Sequence, residues 1–539
     1  MRKLFNLLLS TCIISAYVSG PSLQAQRAAA NPDDITAAQL RDYLTFVASD
    51  EMEGRATPSR GLDTTSLFIA TLLKRWGAIP MGEDGTFFQK ISLAKYVVDQ
   101  TTTRLEIPGS SFKYGDNYIA SIGKGAATAS LVYGGNGWLI KSKNVDAYKG
   151  VDPKGKVVVL AYSEGNNPPN GLTGKDLTGG SGDGWAYPKD YAIRKGAVGI
   201  IYLVSTADAA HWDRVQAVNS NDYLYPEKFK GGPDIRIPVF FVKPEVTQAL
   251  FKNEQIDSAA ILKSLDDRTA LPSFELNARH QVGVSVAFAV ERKYARNVVA
   301  KFEGSDPILK DEYVAFGAHY DHLGMTSNPV NGDYIYNGAD DDGSGTTSLI
   351  AMAEALSKAK RRPRRSTLFV WHCGEEMGLW GSHYFTEFPT VPLKQIVTQL
   401  NIDMVGRSKL PGDTKPANRE LSGPDEIYVI GSKMMSTELG ELSERVNSKF
   451  LNVKFNYRYD DPKDPNRFFF RSDHYNYASK GVPIIFYFDG VHEDYHGLGD
   501  EVDKIDFNKM EKVVRTVYET MWEISGLNKR PVIDRKLPY

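Results

Sequence analysis

The sequence predicts an α/β fold: a mostly parallel mixed sheet flanked by helices, with a small β-rich domain inserted into it. Three observations carry this. After about residue 290, short apolar runs alternate with stretches of helical period, and parallel strands are joined by such helical crossovers. From about 125 to 270 the texture changes to short strands between loops rich in Gly, Asn and Pro. Ahead of that stretch the period is helical again.

The elements follow in chain order. Residues 33–80 read as helical, with Leu40, Tyr43, Leu44 and Val47 in phase, then Leu67, Ile69, Leu72, Leu73 and Trp76. Between these runs, 50–55 reads as a polar turn. Residues 86–122 alternate like short strands. Strands are expected at 155–162, 198–204 and 238–242, with a short helix at 191–197 and a loop over most of 164–184. Later strands are expected at 297–302, 313–317, 366–371, 397–402, 426–430 and 483–488. Helices are expected at 345–359, 436–450 and 508–524. No internal repeat or low-complexity tract is visible.

The chain has 539 residues, 42% hydrophobic, 24% charged and 11% aromatic. That is enough for two or three domains with ample core, and it excludes disorder as the dominant state. With 64 basic and 66 acidic residues the net charge is −2. No surplus of either sign argues for nucleic acid or for a solvating tail. Two cysteines, Cys12 and Cys373, do not make a disulfide scaffold.

Residues 1–25 read as an export signal: Arg2 and Lys3, an apolar run over 4–18, then small and polar residues with a cut after Ala25. The run falls short of the roughly 20 apolar residues that a membrane span needs. A lipoprotein cut before Cys12 would put Thr11 where a smaller residue is usual. Losing Arg2 and Lys3 leaves 62 basic residues against 66 acidic, a mature charge of −4. The expected location is secreted or periplasmic, without stable membrane insertion. Cys373 would then be alone, so no internal disulfide is expected. The expected organisation is a discontinuous catalytic domain over 26–124 and 271–539, with the insert at 125–270.

The acids and imidazoles stand in telling places. His319 and Asp321 follow the strand at 313–317, Glu375 and Glu376 follow 366–371, Asp403 ends 397–402, and His496 lies beyond 483–488. Asp340-Asp-Asp342 comes just before Gly343-Ser-Gly345, which opens a helix. Ligand sites in open α/β sheets gather outside the carboxyl ends of the strands, so five segments deliver these groups to one edge. Several carboxylates in one cleft raise each other's pKa unless cations balance them. Imidazole with carboxylate suits zinc, and a pair of zinc ions can share a carboxylate and a water. Any of the three aspartates could ligate. Adjacent residues at a strand end diverge, so one of Glu375 and Glu376 can bind metal while the other faces water.

His319-Tyr-Asp321, Gly338-Ala-Asp-Asp341, Gly374-Glu-Glu376, Asn401-Ile-Asp403 and Asp494-Tyr-His496 resemble the five signatures of the co-catalytic di-zinc exopeptidases. That family includes bacterial leucyl aminopeptidases and glutamate carboxypeptidase relatives. The resemblance covers about 33–120 and 285–525 and implies a zinc-exopeptidase-like fold. It also implies two zinc ions per chain: Asp341 bridges, with His319 and Asp403 on one ion and Glu376 and His496 on the other. It implies Glu375 as general base and Asp321 as the partner orienting His319. Asp340 and Asp342 then become capping or supporting groups. By analogy, Tyr495 is expected to donate to the oxyanion or else to pack. Gly155-Lys-Val-Val-Val, Lys195-Gly-Ala-Val-Gly-Ile-Ile and Ile237-Pro-Val-Phe-Phe resemble the protease-associated domain, which some members carry as an insert.

Other features carry less. His492-Glu-Asp-Tyr-His496 spells a single-zinc motif that needs a helix, but glycines at 490, 497 and 499 leave no room for one. An EF-hand counted from Asp340 would place Ala351 where the bidentate glutamate belongs. His211 and Asp213 read as surface residues, and Cys373 as a small buried one. Asp473-His474 resembles a family stretch lining the site, without being a ligand pair. After His496, relatives show Thr-Pro, whereas this chain has Gly497-Leu-Gly-Asp500. Residues 460–464 read as a solvated loop.

The resulting expectation is an exported metallo-exopeptidase acting on the N-terminal bond of peptides. A carboxypeptidase or dipeptidase of the same family, a one-zinc glutaminyl cyclase and a non-catalytic receptor-like protein are the rivals. Metal counting separates the last two from hydrolysis.

Overall fold

The computed structural model describes residues 31–539 other than 164, 166, 170, 221, 234, 270, 538 and 539. Residues 1–25, where an export signal is expected, and Cys12 lie outside the described residues. The described residues divide into two compact units, one formed by those up to 91 and from 294 on, the other by those within 92–293. Among the described residues, no helix is long and apolar enough to cross a membrane.

In the first unit, helices α1 (Ala37–Val47) and α2 (Arg60–Arg75) come first. Their starts are set locally: Thr36 accepts the N–H of Gln39, and Ser59 that of Leu62. Strands β1 (Phe288–Phe302) and β2 (Tyr313–His319), helix α3 (Gly345–Lys358), and strands β3 (Ser366–His372) and β4 (Ile396–Ile402) follow. The chain ends with β5 (Glu426–Ile430), α4 (Thr437–Lys449), β6 (Lys454–Asn456), β7 (Ile484–Phe488) and α5 (Phe507–Gly526).

The strands lie in the order β1-β3-β2-β4-β7-β5-β6. The inner four run parallel, while β1 on β3 and β5 on β7 are antiparallel. The sheet is therefore mixed and mostly parallel, as the strand–helix alternation predicts. Parallel strands are covered on both faces, which explains why β2, β3 and β4 are buried at every position. On α5, Met510, Val513, Val517, Met521 and Ile524 recur three or four apart and are at most 1% exposed. Each such side chain contributes about 1.5–3 kcal/mol. Helix α3 is buried nearly all round, from Leu349 through Met352 to Leu356.

Register places the functional edge. His319, last in β2, pairs with His372, last in β3. Asn401 near the end of β4 pairs with Phe486 in β7. The carboxyl ends of four adjacent strands thus come level, with Glu375, Asp403 and the 489–500 loop just beyond them.

The second unit is built on a sheet whose central strands Gly125–Tyr133, Val157–Ala161, Gly199–Leu203 and Val239–Val242 are parallel neighbours. Helices such as Pro188–Arg194, Pro244–Leu250 and Ser258–Asp266 accompany it. The expected strands at 155–162, 198–204 and 238–242 fall within a residue or two of those observed. His211 stands exposed ahead of a helix at Trp212–Asn219, with Asp213 exposed in its first turn.

Candidate metal centre

Each of the three aspartates before α3 has its own task. The Asp342 carboxylate accepts the backbone N–H of His319 at 3.0 Å, of Gly345 at 2.8 Å and of Met404 at 3.3 Å. One side chain therefore caps α3 and ties the ends of β2 and β4 together. Glycine is required at 345, where a Cβ would stand 2.3 Å from the Asp342 Oδ1. Asp340 turns away, accepting the N–H of Gly406 at 2.7 Å and lying 3.4 Å from His492 Nε2. Asp341, between them, faces the edge of the sheet.

The side chains there converge. Asp341 Oδ1 lies 3.2 Å from His319 Nε2, and Asp341 Oδ2 lies 3.1 Å from His496 Nε2. Asp403 Oδ1 is 3.7 Å from His319 Nε2, and Glu376 Oε2 is 3.1 Å from His496 Nε2. Ligand atoms of His319, Asp341 and Asp403 lie within 4.8 Å of one another, as do those of His322, Asp341 and Glu376. All are buried or nearly so except His496, whose side chain is 38% exposed. The cage opens on the His496 side.

Its electrostatics are those of a charge cluster in search of cations. Burial works to raise the Asp341 carboxyl, but the imidazoles of His319, His496 and His322 outweigh it and hold the group well below the usual range. Burial works to lower His319, yet the carboxylates around it push it well above its usual value. His496 is likewise pushed up to about 10 by Asp341 and Glu376, against its burial. Burial raises Asp403 and raises Glu375 well above the carboxylate range, with neighbouring acids adding to both.

The donor set fits zinc. His319 Nε2 and Asp341 Oδ2 are buried without a hydrogen-bond partner, although each has a potential partner within about 3.2 Å. Nitrogen and oxygen atoms that crowd together without a directed hydrogen bond are arranged as ligands of a common ion. Imidazole with carboxylate is the zinc combination.

Around the cage, Glu375 Oε2 stands 3.9 Å from His319 Nε2, and the Glu375 backbone N–H donates to Asp321 Oδ1 at 3.1 Å. Asp321 Oδ2 accepts from the Thr57 hydroxyl at 3.1 Å. His319 Nδ1 is 3.1 Å from the Asp321 backbone oxygen and 3.7 Å from its carboxylate, so the backbone is the nearer orienting group. The Tyr495 ring stacks on His496 at 3.9 Å, and its hydroxyl accepts from Arg471 Nη2 at 3.3 Å. That leaves the phenolic proton free to be donated.

Other flagged residues lie elsewhere. Residues 493–496 form a turn and 491–496 no helix, and His492 faces Asp340 while His496 faces the cage. Asp473 is buried 3.3 Å from His372 Nδ1. His474 stacks on Phe486 at 4.3 Å, and burial drags it down to about 3. Cys373 is buried, which raises its thiol well above the usual value.

Sequence reasoning missed three supports. Residues 50–55, expected as a polar turn, form a short helix of 3₁₀ type whose Arg55 is fully buried. Its guanidinium donates to the backbone oxygens of Val47, Tyr320, Asn337 and Gly338 at 2.7–3.0 Å. It thereby ties the loop after His319 to the segment before Asp341. Asp500 accepts the N–H groups of Asp340 and Asp341 at 3.0–3.1 Å. His322 lies 2.8 Å from Glu376. A buried arginine looks like a surface one in sequence; the second histidine of His319-Tyr-Asp-His322 was the available signal.

Carboxylates and imidazoles converging at the carboxyl edge of a parallel sheet form a cluster that could hold metal on an open α/β fold. Residues 297–521 match the family model of Peptidase family M28. The chain is 27% identical over 360 residues to a glutamate carboxypeptidase 2 homolog of Caenorhabditis elegans, covering 57% of this chain and 41% of that one. It is 25% identical over 296 residues to leucine aminopeptidase 2 of Trichophyton equinum, covering 50% and 53%. The chain thus spans about half the length of the curated relatives it matches. An aminopeptidase structure from Aneurinibacillus sp. strain AM-1 shares the fold, with a TM-score of 0.50 at 16% identity over 95% of this chain and 97% of that one.

Proposed function

We propose that the chain is an exported zinc-dependent metallo-exopeptidase that hydrolyses the N-terminal peptide bond of peptides. The observation that carries this is Asp341, with one oxygen beside His319 and the other beside His496. In this reading His319 and Asp403 would hold one zinc ion and Glu376 and His496 a second, with Asp341 in reach of both. Zinc bound there would polarise the scissile carbonyl and lower the pKa of the attacking water.

The chain's own residues do the rest. Glu375, buried and held above the usual carboxylate range, takes the proton of the attacking water and passes it to the leaving amine. Asp321 fixes that glutamate through its backbone N–H and supports His319. Tyr495, oriented by Arg471 and the His496 ring, donates to the developing oxyanion. Free carboxylate groups near the metals would anchor a substrate's α-ammonium group, which favours the N-terminal direction. Relatives named aminopeptidase and carboxypeptidase leave the direction to this electrostatic argument. Residues 1–25 support export, and 125–270 constitute the protease-associated insert in this reading.

The test is a panel of aminoacyl reporter substrates run beside N-acetylated peptides with free C-termini. Cleavage of the free-amine substrates alone supports the proposal. Release of C-terminal residues from the N-blocked peptides would reverse the direction, and cyclisation of N-terminal glutamine without hydrolysis would replace the activity.

A further inference from the structure

We infer that His322 is a positioning residue for the second cation: it selects which oxygen of Glu376 reaches the ion. The inference rests on the proposed function and concerns a residue with no role in it so far. His322 Nδ1 lies 2.8 Å from Glu376 Oε1, while Glu376 Oε2 lies 3.1 Å from His496 Nε2. The carboxylate is therefore divided, one oxygen for His322 and one for the cage.

The distance separates an orienting role from ligation. Two ligands of one tetrahedral zinc, each about 2.0–2.2 Å from it, stand roughly 3.4 Å apart. The His322–Glu376 contact, at 2.8 Å, is shorter than the 3.1–3.7 Å between the proposed ligand atoms and matches a charge-assisted N–H···O bond. His322 Nδ1 is also 3.9 Å from Asp341 Oδ2, farther than His496 Nε2 at 3.1 Å. Nδ1 is thus the ring nitrogen that faces Glu376, and Nε2 is buried without a hydrogen-bond partner.

The ring itself is held from three sides. The His322 backbone N–H donates to the Arg55 oxygen at 3.2 Å. His496 meets the ring edge-on, with centroids 6.0 Å apart. Gly338, at φ +56°, lies flat beneath it: a Cβ there would come within 2.5 Å of two ring atoms. His322 thus carries the rigidity of the Arg55 clamp to Glu376. A partner of this kind adjusts metal affinity by about 10–100-fold.

The experiment titrates the metal-free full chain with zinc against a chromogenic chelator, comparing wild type, His322→Leu and His322→Asn. Leucine removes the donor, whereas the asparagine amide places an N–H near the position of Nδ1. The inference expects two zinc ions in wild type. In His322→Leu, one binding step weakens by about 10–100-fold and the other is unchanged, and His322→Asn recovers most of the loss. Wild-type affinity in His322→Leu would overturn the inference, and so would an asparagine variant as weak as leucine, since imidazole itself would then be the ligand. Fewer than two zinc ions in the wild-type chain would instead overturn the proposed function, and this inference with it. Circular dichroism of each metal-free variant checks that the fold is retained, and the asparagine variant keeps the test decisive if leucine disturbs it.

Discussion

The backbone N–H of Asp341 donates to Asp500 Oδ2 at 3.0 Å. The neighbouring N–H of Asp340 donates to the same carboxylate, so a residue four positions beyond His496 holds the peptide that carries the bridging aspartate. The loop ending in His496 and the segment ending in Asp341 are fastened together by this one side chain. Gly497-Leu498-Gly499 links the histidine to this fastening at Asp500.

Removing that carboxylate leaves two buried N–H groups unpaired, at about 1–3 kcal/mol each. Asp500→Ala is expected to lose about 2–6 kcal/mol of stability on this basis, and Asp500→Asn, which retains an acceptor oxygen, distinctly less. Urea denaturation of the metal-free variants measures both. An alanine variant as stable as wild type would show that water takes over the two N–H groups.

Arg55 satisfies four backbone oxygens inside the fold. Arg55→Met keeps much of the volume but strands those oxygens, so a loss of at least about 3 kcal/mol is expected. Lysine, a single point of charge, cannot span all four, and Arg55→Lys is expected to fall between. If methionine proved harmless, the clamp between the 320–322 and 337–338 segments would have no energetic role.

Glu375→Gln removes the proton acceptor without removing a proposed ligand. Turnover is expected to fall by about 10²–10⁴-fold, the usual contribution of general acid–base catalysis, while zinc content by mass spectrometry stays at the wild-type level. Retained activity would take Glu375 out of the mechanism.

Zinc uptake is expected to expel protons. In the metal-free cage His319 is held above its usual pKa by the carboxylates around it and His496 at about 10, so His496 carries a proton near pH 7.5, and ligation requires its lone pair. The sign follows: His496 lends the metal-free fold stability that is fully present below about 6.5, its unfolded value, and lost as pH rises through about 10. Zinc affinity should accordingly weaken as pH falls from 9 to 6. Calorimetry in buffers of different ionisation enthalpy gives the proton count, and binding heats independent of the buffer would contradict the prediction.

Much of this was legible in the sequence because it depends on local pattern. The strands ending at His319, at His372 before Glu375 and at Ile402 before Asp403 announce themselves by apolar runs, and a parallel sheet brings their carboxyl ends level. The supports were not legible because they depend on long-range burial. Arg55 sits among charged residues in sequence and is read as exposed, yet its partners come from near 320 and 337. The Asp500 carboxylate reaches back across 160 residues. His322 drew no reading from the sequence, because its value lies in the distance to Glu376. The single-zinc motif over 492–496 was correctly discounted by its glycines, and the structure puts its two histidines against different aspartates.

The central claim is that Asp341 stands between two zinc ions. The most direct measurement is anomalous diffraction at the zinc edge from crystals of the zinc-loaded chain. Two peaks are expected, about 3.5–4 Å apart, one against His319 and Asp403 and the other against Glu376 and His496, with Asp341 touching both. A single peak that leaves one Asp341 oxygen without metal, or none within reach of that carboxylate, would contradict it.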